Sequence, residues 1–234
     1  QRRETGQGGA IYTSSAGYSY TYSTIDGGLN PDAGVLFRFG QDYAGIGGGV
    51  SYLRSEVFAV AETSSFREDV TLRAQFDGGV LTPIDGDTRW FDRYNLNSMR
   101  GFQAFGAGPR DVNFMQMNPT DPTDTNGTFM TSNDTVGGNF YALANFDAEF
   151  PLGLPEEYGL RAGVFLDAGT VWGLDNPKVR PPRPRYRDNN VYDIDDGFRL
   201  RSAVGASIFW DTPIGPLRFN FSHALVKEED DEEQ

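Results

Sequence analysis

Apolar and polar residues alternate along much of this chain, and the alternation has a period of two. In residues 16–25, AGYSYTYSTI, Tyr18, Tyr20 and Tyr22 share one face while serines and threonines take the other. Residues 68–81 set Val70, Leu72, Ala74 and Phe76 against Thr71, Arg73, Gln75 and Asp77. In 138–149, Ala142, Ala144, Phe146 and Ala148 oppose Asn145, Asp147 and Glu149. Residues 158–172 set Leu160, Ala162, Val164 and Leu166 against Arg161, Gly163, Phe165 and Asp167. Segments 198–211 and 216–226 repeat the scheme, with Val204, Ile208, Trp210, Phe219 and Phe221 opposite Arg201, Ser207, Arg218 and Asn220. Segments 34–43 and 48–61 are strand-like as well. A two-residue period marks a strand with two unlike faces. The pattern therefore predicts eight strands, parted by turn-rich breaks such as DGGLNPDAG, FPLGLPEE and TPIG. Residues 82–137 and 173–197 show no period and read as long irregular loops.

Charged side chains keep to one face. Arg73, Asp77, Asp147, Arg161, Asp167, Arg199, Arg201 and Arg218 all lie opposite the apolar residues. Two architectures suit such faces. In a soluble β-sandwich the polar face meets solvent and the apolar face packs on a second sheet. In a membrane barrel the apolar face meets lipid and the polar face lines a wet lumen. From the fourth strand onward long loops and short turns alternate, and segments of roughly 10 to 15 residues suit a tilted crossing of the apolar layer. Both features favour an all-β fold, an antiparallel transmembrane β-barrel portion.

Composition sharpens this picture in a few places. Among 234 residues there are 29 Gly, and aromatics reach 14%, with Phe and Tyr far ahead of Trp. That mixture favours strands and turns. A mean hydropathy of −0.48 would ordinarily suggest solubility. A barrel wall shows its apolar residues only at alternate positions, so its average stays polar. No run of about 18 apolar residues is present to form a membrane helix. Cysteine is absent, which removes disulfides, thiolate metal sites and a cysteine nucleophile from this chain. The net charge is −13, but six acids are concentrated in 228–233. No basic field suggests a nucleic-acid partner. The opening QRRETGQGG has no signal-peptide character and reads as the interior of a longer chain.

Candidate chemistry is sparse. DTNG at 124–127 and DIDDG at 193–197 resemble pieces of calcium loops but lack the full ligand spacing, and turns use the same residues. No metal site and no catalytic residue is assigned. His223 is the single histidine, with no serine motif to accompany it. RPPRPRYR at 180–187 could meet acidic lipopolysaccharide, although a solvated loop is the plainer reading. Trp172 and Trp210 fall at strand ends, where membrane-interface aromatics sit.

Four ordered motifs carry more weight: MRGFQAFGAGPRD, GGNFYALANFDAEFPLG, AGVFLDAGTVWG and WDTPIGPLRFNFS. Together they resemble the C-terminal half of the barrel of the BamA-type assembly factors, in the outer-membrane insertase superfamily. The matching segments cover most of residues 95–225, while the first 90 residues fit the strand layout without a motif of their own. Two departures stand out. DRYNLNSMRGF lacks the Gly-Gly that usually precedes the Arg-Gly-Phe of the family, and HALVKEEDDEEQ stops short of the family's closing aromatic strand.

The resemblance implies that residues 1–234 are one part of a barrel, about eight strands of a roughly sixteen-stranded whole. N-terminal POTRA domains, the early strands and the final strand would lie outside it. It also implies that the long loop at about 82–137 folds into the lumen. Its tip, Arg100, Gly101 and Phe102, would dock on a wall receptor of Phe165, Asp167 and Gly169. A guanidinium can donate two hydrogen bonds to a carboxylate and stack on a ring. Arg161 and Arg201 remain alternative partners for Asp167. The implied function is folding and inserting β-barrel proteins into the outer membrane of a Gram-negative bacterium, without covalent chemistry or cofactor. Implied partners are unfolded outer-membrane proteins, outer-membrane lipid and lipopolysaccharide, and assembly lipoproteins reached through the POTRA domains. A TamA-like or two-partner-secretion transporter shares the loop and is the nearest alternative. A soluble β-sandwich binding module is the alternative from another class.

Overall fold

The computed structural model describes residues 13–25, 33–45, 51–65, 70–117, 128–179 and 192–234. Its strands are β1 (Ser15–Ser23), β2 (Ala33–Ala44), β3 (Ser51–Ser65), β4 (Val70–Asp85), β5 (Arg110–Met117) and β6 (Thr128–Thr135). They continue as β7 (Phe140–Pro151), β8 (Leu160–Trp172), β9 (Lys178–Val179), β10 (Tyr192–Asp193), β11 (Arg201–Thr212) and β12 (Gly215–Val226). No helix among the described residues is long and apolar enough to cross a membrane.

Eight strands form one sheet in the order β1-β2-β3-β4-β7-β8-β11-β12, every neighbouring pair antiparallel. These eight coincide with the eight segments read from alternation. The register sets inward residues in rows across the sheet. Gln75, Asn145, Asp167 and Ala203 make one row. Arg73, Asp147, Phe165 and Gly205 make the next.

Burial is inverted relative to a water-soluble domain. Phe146, Val164, Phe219 and Phe221 are each about half exposed or more, at 51%, 50%, 49% and 64%. On the other face Asp167, Phe165 and Arg201 are 0%, 2% and 3% exposed. An apolar surface of this extent would be a liability in water. Against hydrocarbon it is the stable arrangement, with polar groups turned inward. The sandwich alternative is overturned here, because no second sheet covers the apolar face among the described residues.

The long loop needs a correction. It is not irregular throughout, since β5 and β6 pair as an antiparallel hairpin within it. The hydrophobic period failed to show this because RDVNFMQM and TFMTSNDT carry no clean two-residue alternation, and the hairpin forms a sheet separate from the wall. The second long loop contains the short pair β9 and β10. Strand ends also differ from expectation: β4 runs on to Asp85, and β11 begins only at Arg201. The sequences DTNG at 124–127 and RPPRPRYR at 180–187 lie outside the described residues.

Candidate functional site

A polar cluster fills the concave side of β7, β8, β11 and β12, and the long loop reaches into it. The loop enters under restraint from the strands it leaves. On β3, Tyr52 donates to the Asp92 carboxylate at 3.1 Å and Arg54 donates to the Asp92 carbonyl at 2.5 Å. Thr88 donates to Asp175 at 2.6 Å, and Asn139 donates to the same carboxylate at 2.5 Å. Tyr94 and Gly138 bridge as an antiparallel pair. These ties hold both ends of the loop at the strand ends, so the middle need only span the lumen.

Apolar loop residues then insert. Leu96, Met99, Phe102 and Ala107 are buried with Leu143, Val171, Ala203 and Ala224 from the wall. The Cβ-free positions are specific here. Gly101 has φ +88°, and a Cβ there would come within 2.9 Å of the Ala203 Cβ. Only glycine combines that backbone conformation with so close an approach.

Arg100 occupies the centre. Its Nε donates to Asp167 at 2.7 Å and a terminal nitrogen donates to the other carboxylate oxygen at 2.5 Å. The Arg100 main-chain N–H adds a third bond to Asp167 at 3.2 Å. The guanidinium carbon lies 3.7 Å from the Phe165 ring centroid. Its remaining terminal nitrogen donates to Asp147 at 2.6 Å. Asp147 also accepts from Arg218 at 2.8 Å. Two arginines and two aspartates thus alternate, Asp167–Arg100–Asp147–Arg218, with no net charge left over. Burial alone would lower the pKa of Arg100, but hydrogen bonds and charge from Asp167 and Asp147 outweigh it and raise it above its ordinary value. Arg100 therefore stays charged at any physiological pH.

The sequence-predicted residues divide as follows. Arg100, Phe165 and Asp167 meet directly. Gly101 and Phe102 pack against the wall beside them. Gly169 serves another part of the loop, because the space at its missing Cβ is taken by Leu96 and Leu143, at 3.1 Å and 3.0 Å. Arg161 and Arg201 take other partners, Glu149 with Asp211 and Asp231 respectively. Asp147 and Arg218 were legible only as inward charges, and their link to Arg100 was missed. Gly205 was missed altogether. A Cβ there would meet the Phe165 ring at 2.4 Å, so this glycine makes the slot in which the ring lies. Its signal was the register, which pairs Gly205 with Phe165.

The weaker candidates find ordinary settings. Asp195 pairs with Arg199 at 2.8 Å, and Asp196 accepts the Leu174 N–H at 2.7 Å. Among the described residues no cluster of potential ligands could hold a metal ion. His223 lies in β12, an even number of residues from the outward Phe221 and Leu225. Trp172 stacks on Phe140 at a strand end, 5.5 Å between centroids.

Known proteins resemble this chain in sequence and in fold. The model of the Omp85 superfamily domain matches residues 2–234. The outer membrane protein assembly factor BamA of Neorickettsia risticii is 33% identical over 94% of this chain and 26% of its own length. Sorting and assembly machinery component 50 homolog A of Xenopus laevis is 30% identical over 72% of this chain and 34% of its own. The chain thus spans about a quarter to a third of the length of these relatives. The crystal structure of BamA from Haemophilus ducreyi lacking POTRA domains 1–3 superposes with a TM-score of 0.70, over 94% of this chain and 40% of that one. At 20% identity it shows a common fold.

Proposed function

Since this chain belongs to the Omp85 superfamily, we propose that it supplies half the wall and the inward loop of an outer-membrane barrel that folds and inserts other β-barrel proteins. The observation that carries this reading is the 33% identity to an assembly factor across nearly the whole chain. The seated loop supports it, because a loop fixed on the inner wall by an ion cluster leaves the work to the rim of the barrel. Its substrates are unfolded outer-membrane proteins. Lipopolysaccharide and membrane lipid border it, and assembly lipoproteins act on POTRA domains elsewhere in the parent chain. Its work is non-covalent, driven by folding of the substrate strands, and uses no cofactor.

In this reading the Arg100–Asp167 contact is a latch that keeps the loop in place. Asp167 is completely buried. Removing Arg100 strands that charge, which costs about 3–5 kcal/mol, enough to turn a mostly docked loop into a mostly undocked one. Arg100→Ala or Asp167→Ala in the full-length protein should lower outer-membrane protein levels in cells depleted of the wild-type copy. Exchanging the two charges should restore part of the loss. Asp147→Asn should do less harm, because its side chain keeps 22% exposure and Arg100 keeps Asp167. Undiminished assembly in both alanine variants would overturn the latch. Loss of one secreted protein, with assembly intact, would point to a transporter instead.

A further inference from the structure

Acids 228–233 follow β12 in an unbroken run, and the latch leaves them without a role. Such a run is ordinarily a solvated, self-repelling segment. Asp231 departs from that. Its side chain is 1% exposed and meets an Arg201 side chain that is 4% exposed. Two parallel bonds join them, Arg201 Nε at 2.9 Å and a terminal nitrogen at 3.1 Å. The same carboxylate accepts the Glu228 N–H at 2.8 Å, closing a turn that Asp231 N–H completes on the Glu228 carbonyl. A buried, two-pronged ion pair is directional, and here it sets where the next three residues go.

Those residues lie along the loop tip. Gln103 N–H donates to the Glu232 carbonyl at 2.9 Å, Glu232 N–H to the Gly106 carbonyl at 2.8 Å, and Gln234 N–H to the Gly101 carbonyl at 3.2 Å. The Gln103 side chain donates to the Glu233 carbonyl at 3.0 Å, and Phe102 and Glu233 form an antiparallel bridge. The Arg-Gly-Phe tip is therefore held twice, by the wall on one side and by this segment on the other. Arg201 and Ala203 both belong to β11, and Ala203 pairs in register with Asp167. One strand thus carries the anchor of the segment beside the latch itself.

We propose that Glu228–Gln234 is a second clasp on the loop tip, that the Arg201–Asp231 pair positions it, and that seating of the loop and ordering of this segment are coupled. Each supplies main-chain partners that the other lacks alone. By linkage, the seated loop favours the ordered segment by the same factor as the ordered segment favours the seated loop.

Cysteine chemistry can test this in the full-length protein, since this stretch has no cysteine of its own. A Gln103→Cys/Glu233→Cys pair reports the clasp through its disulfide yield. Met99→Cys, at a position 2% exposed, reports the seated loop through its protection from a water-soluble maleimide. Asp231→Asn should raise Met99→Cys labelling about tenfold, the effect of losing part of a buried ion pair. Arg100→Ala, on the opposite side of the tip, should cut the 103–233 disulfide yield. Arg201→Lys keeps the charge without the fork and should fall between. It also replaces Asp231→Asn should that variant fail to show the heat-shifted mobility of a folded barrel. Unchanged Met99→Cys labelling in the Asp231 or Arg201 variant, or an unchanged disulfide yield in Arg100→Ala, would overturn the coupling. These readouts do not depend on what the parent barrel inserts, so they can fail while the assembly reading stands.

Discussion

Single residues set the loop's position through what they omit as much as through what they contribute. Gly205 is the clearest case. A methyl group there would lie 2.4 Å from the Phe165 ring and 2.1 Å from the Phe221 carbonyl oxygen. Both neighbours must shift to admit it, the Phe165 ring out of its slot and the β12 backbone at Phe221 away from β11. Arg100 would then lose the surface it stacks on, a contribution of about 0.5–2 kcal/mol. Gly205→Ala should therefore make the loop sensitive to protease while every loop residue is unchanged. Limited proteolysis of the folded barrel checks this, and a loop as resistant as wild type would refute it.

At the scale of elements, the period-two pattern was enough to find all eight wall strands, because each has one face in lipid and one in the lumen. The same pattern alone assigns Phe165 and Asp167 to the inner face. What it could not read were features without a period. The β5–β6 hairpin carries no clean alternation in its sequence, and the segment after β12 reads as charge alone. The Asp147–Arg218 extension of the cluster depends on register across four strands, which no single strand encodes. The facing rule also makes a quantitative contrast. Phe146→Arg places a charge against lipid and should cost about 2–4 kcal/mol near the bilayer midplane. Gln75→Arg, one row away and facing inward beside Asn145, should cost little. Urea unfolding of the full-length protein in liposomes would separate them, and equal costs would contradict the assigned faces.

For the molecule as a whole, the sheet ends at β1 and β12, each hydrogen-bonded to one neighbouring strand among the described residues. Backbone groups on such edges cannot remain open in hydrocarbon, and in water they invite pairing between chains. Residues 1–234 expressed alone and refolded into detergent should accordingly aggregate, with no heat-modifiable band on a gel. A discrete, heat-modifiable monomer would show that the two edges can satisfy one another.

The joint between the loop tip and the segment after β12 has a consequence for how the sequence there can drift. Most of its bonds run between peptide groups, which every amino acid except proline provides on both sides. Apart from the Glu232 carboxylate, which meets Arg110 at 3.5 Å, the lettering of Glu232, Glu233 and Gln234 is therefore largely free, and mutation can rewrite it at small cost. The address of the whole segment is written in two characters alone, the aspartate and the arginine that fold it back.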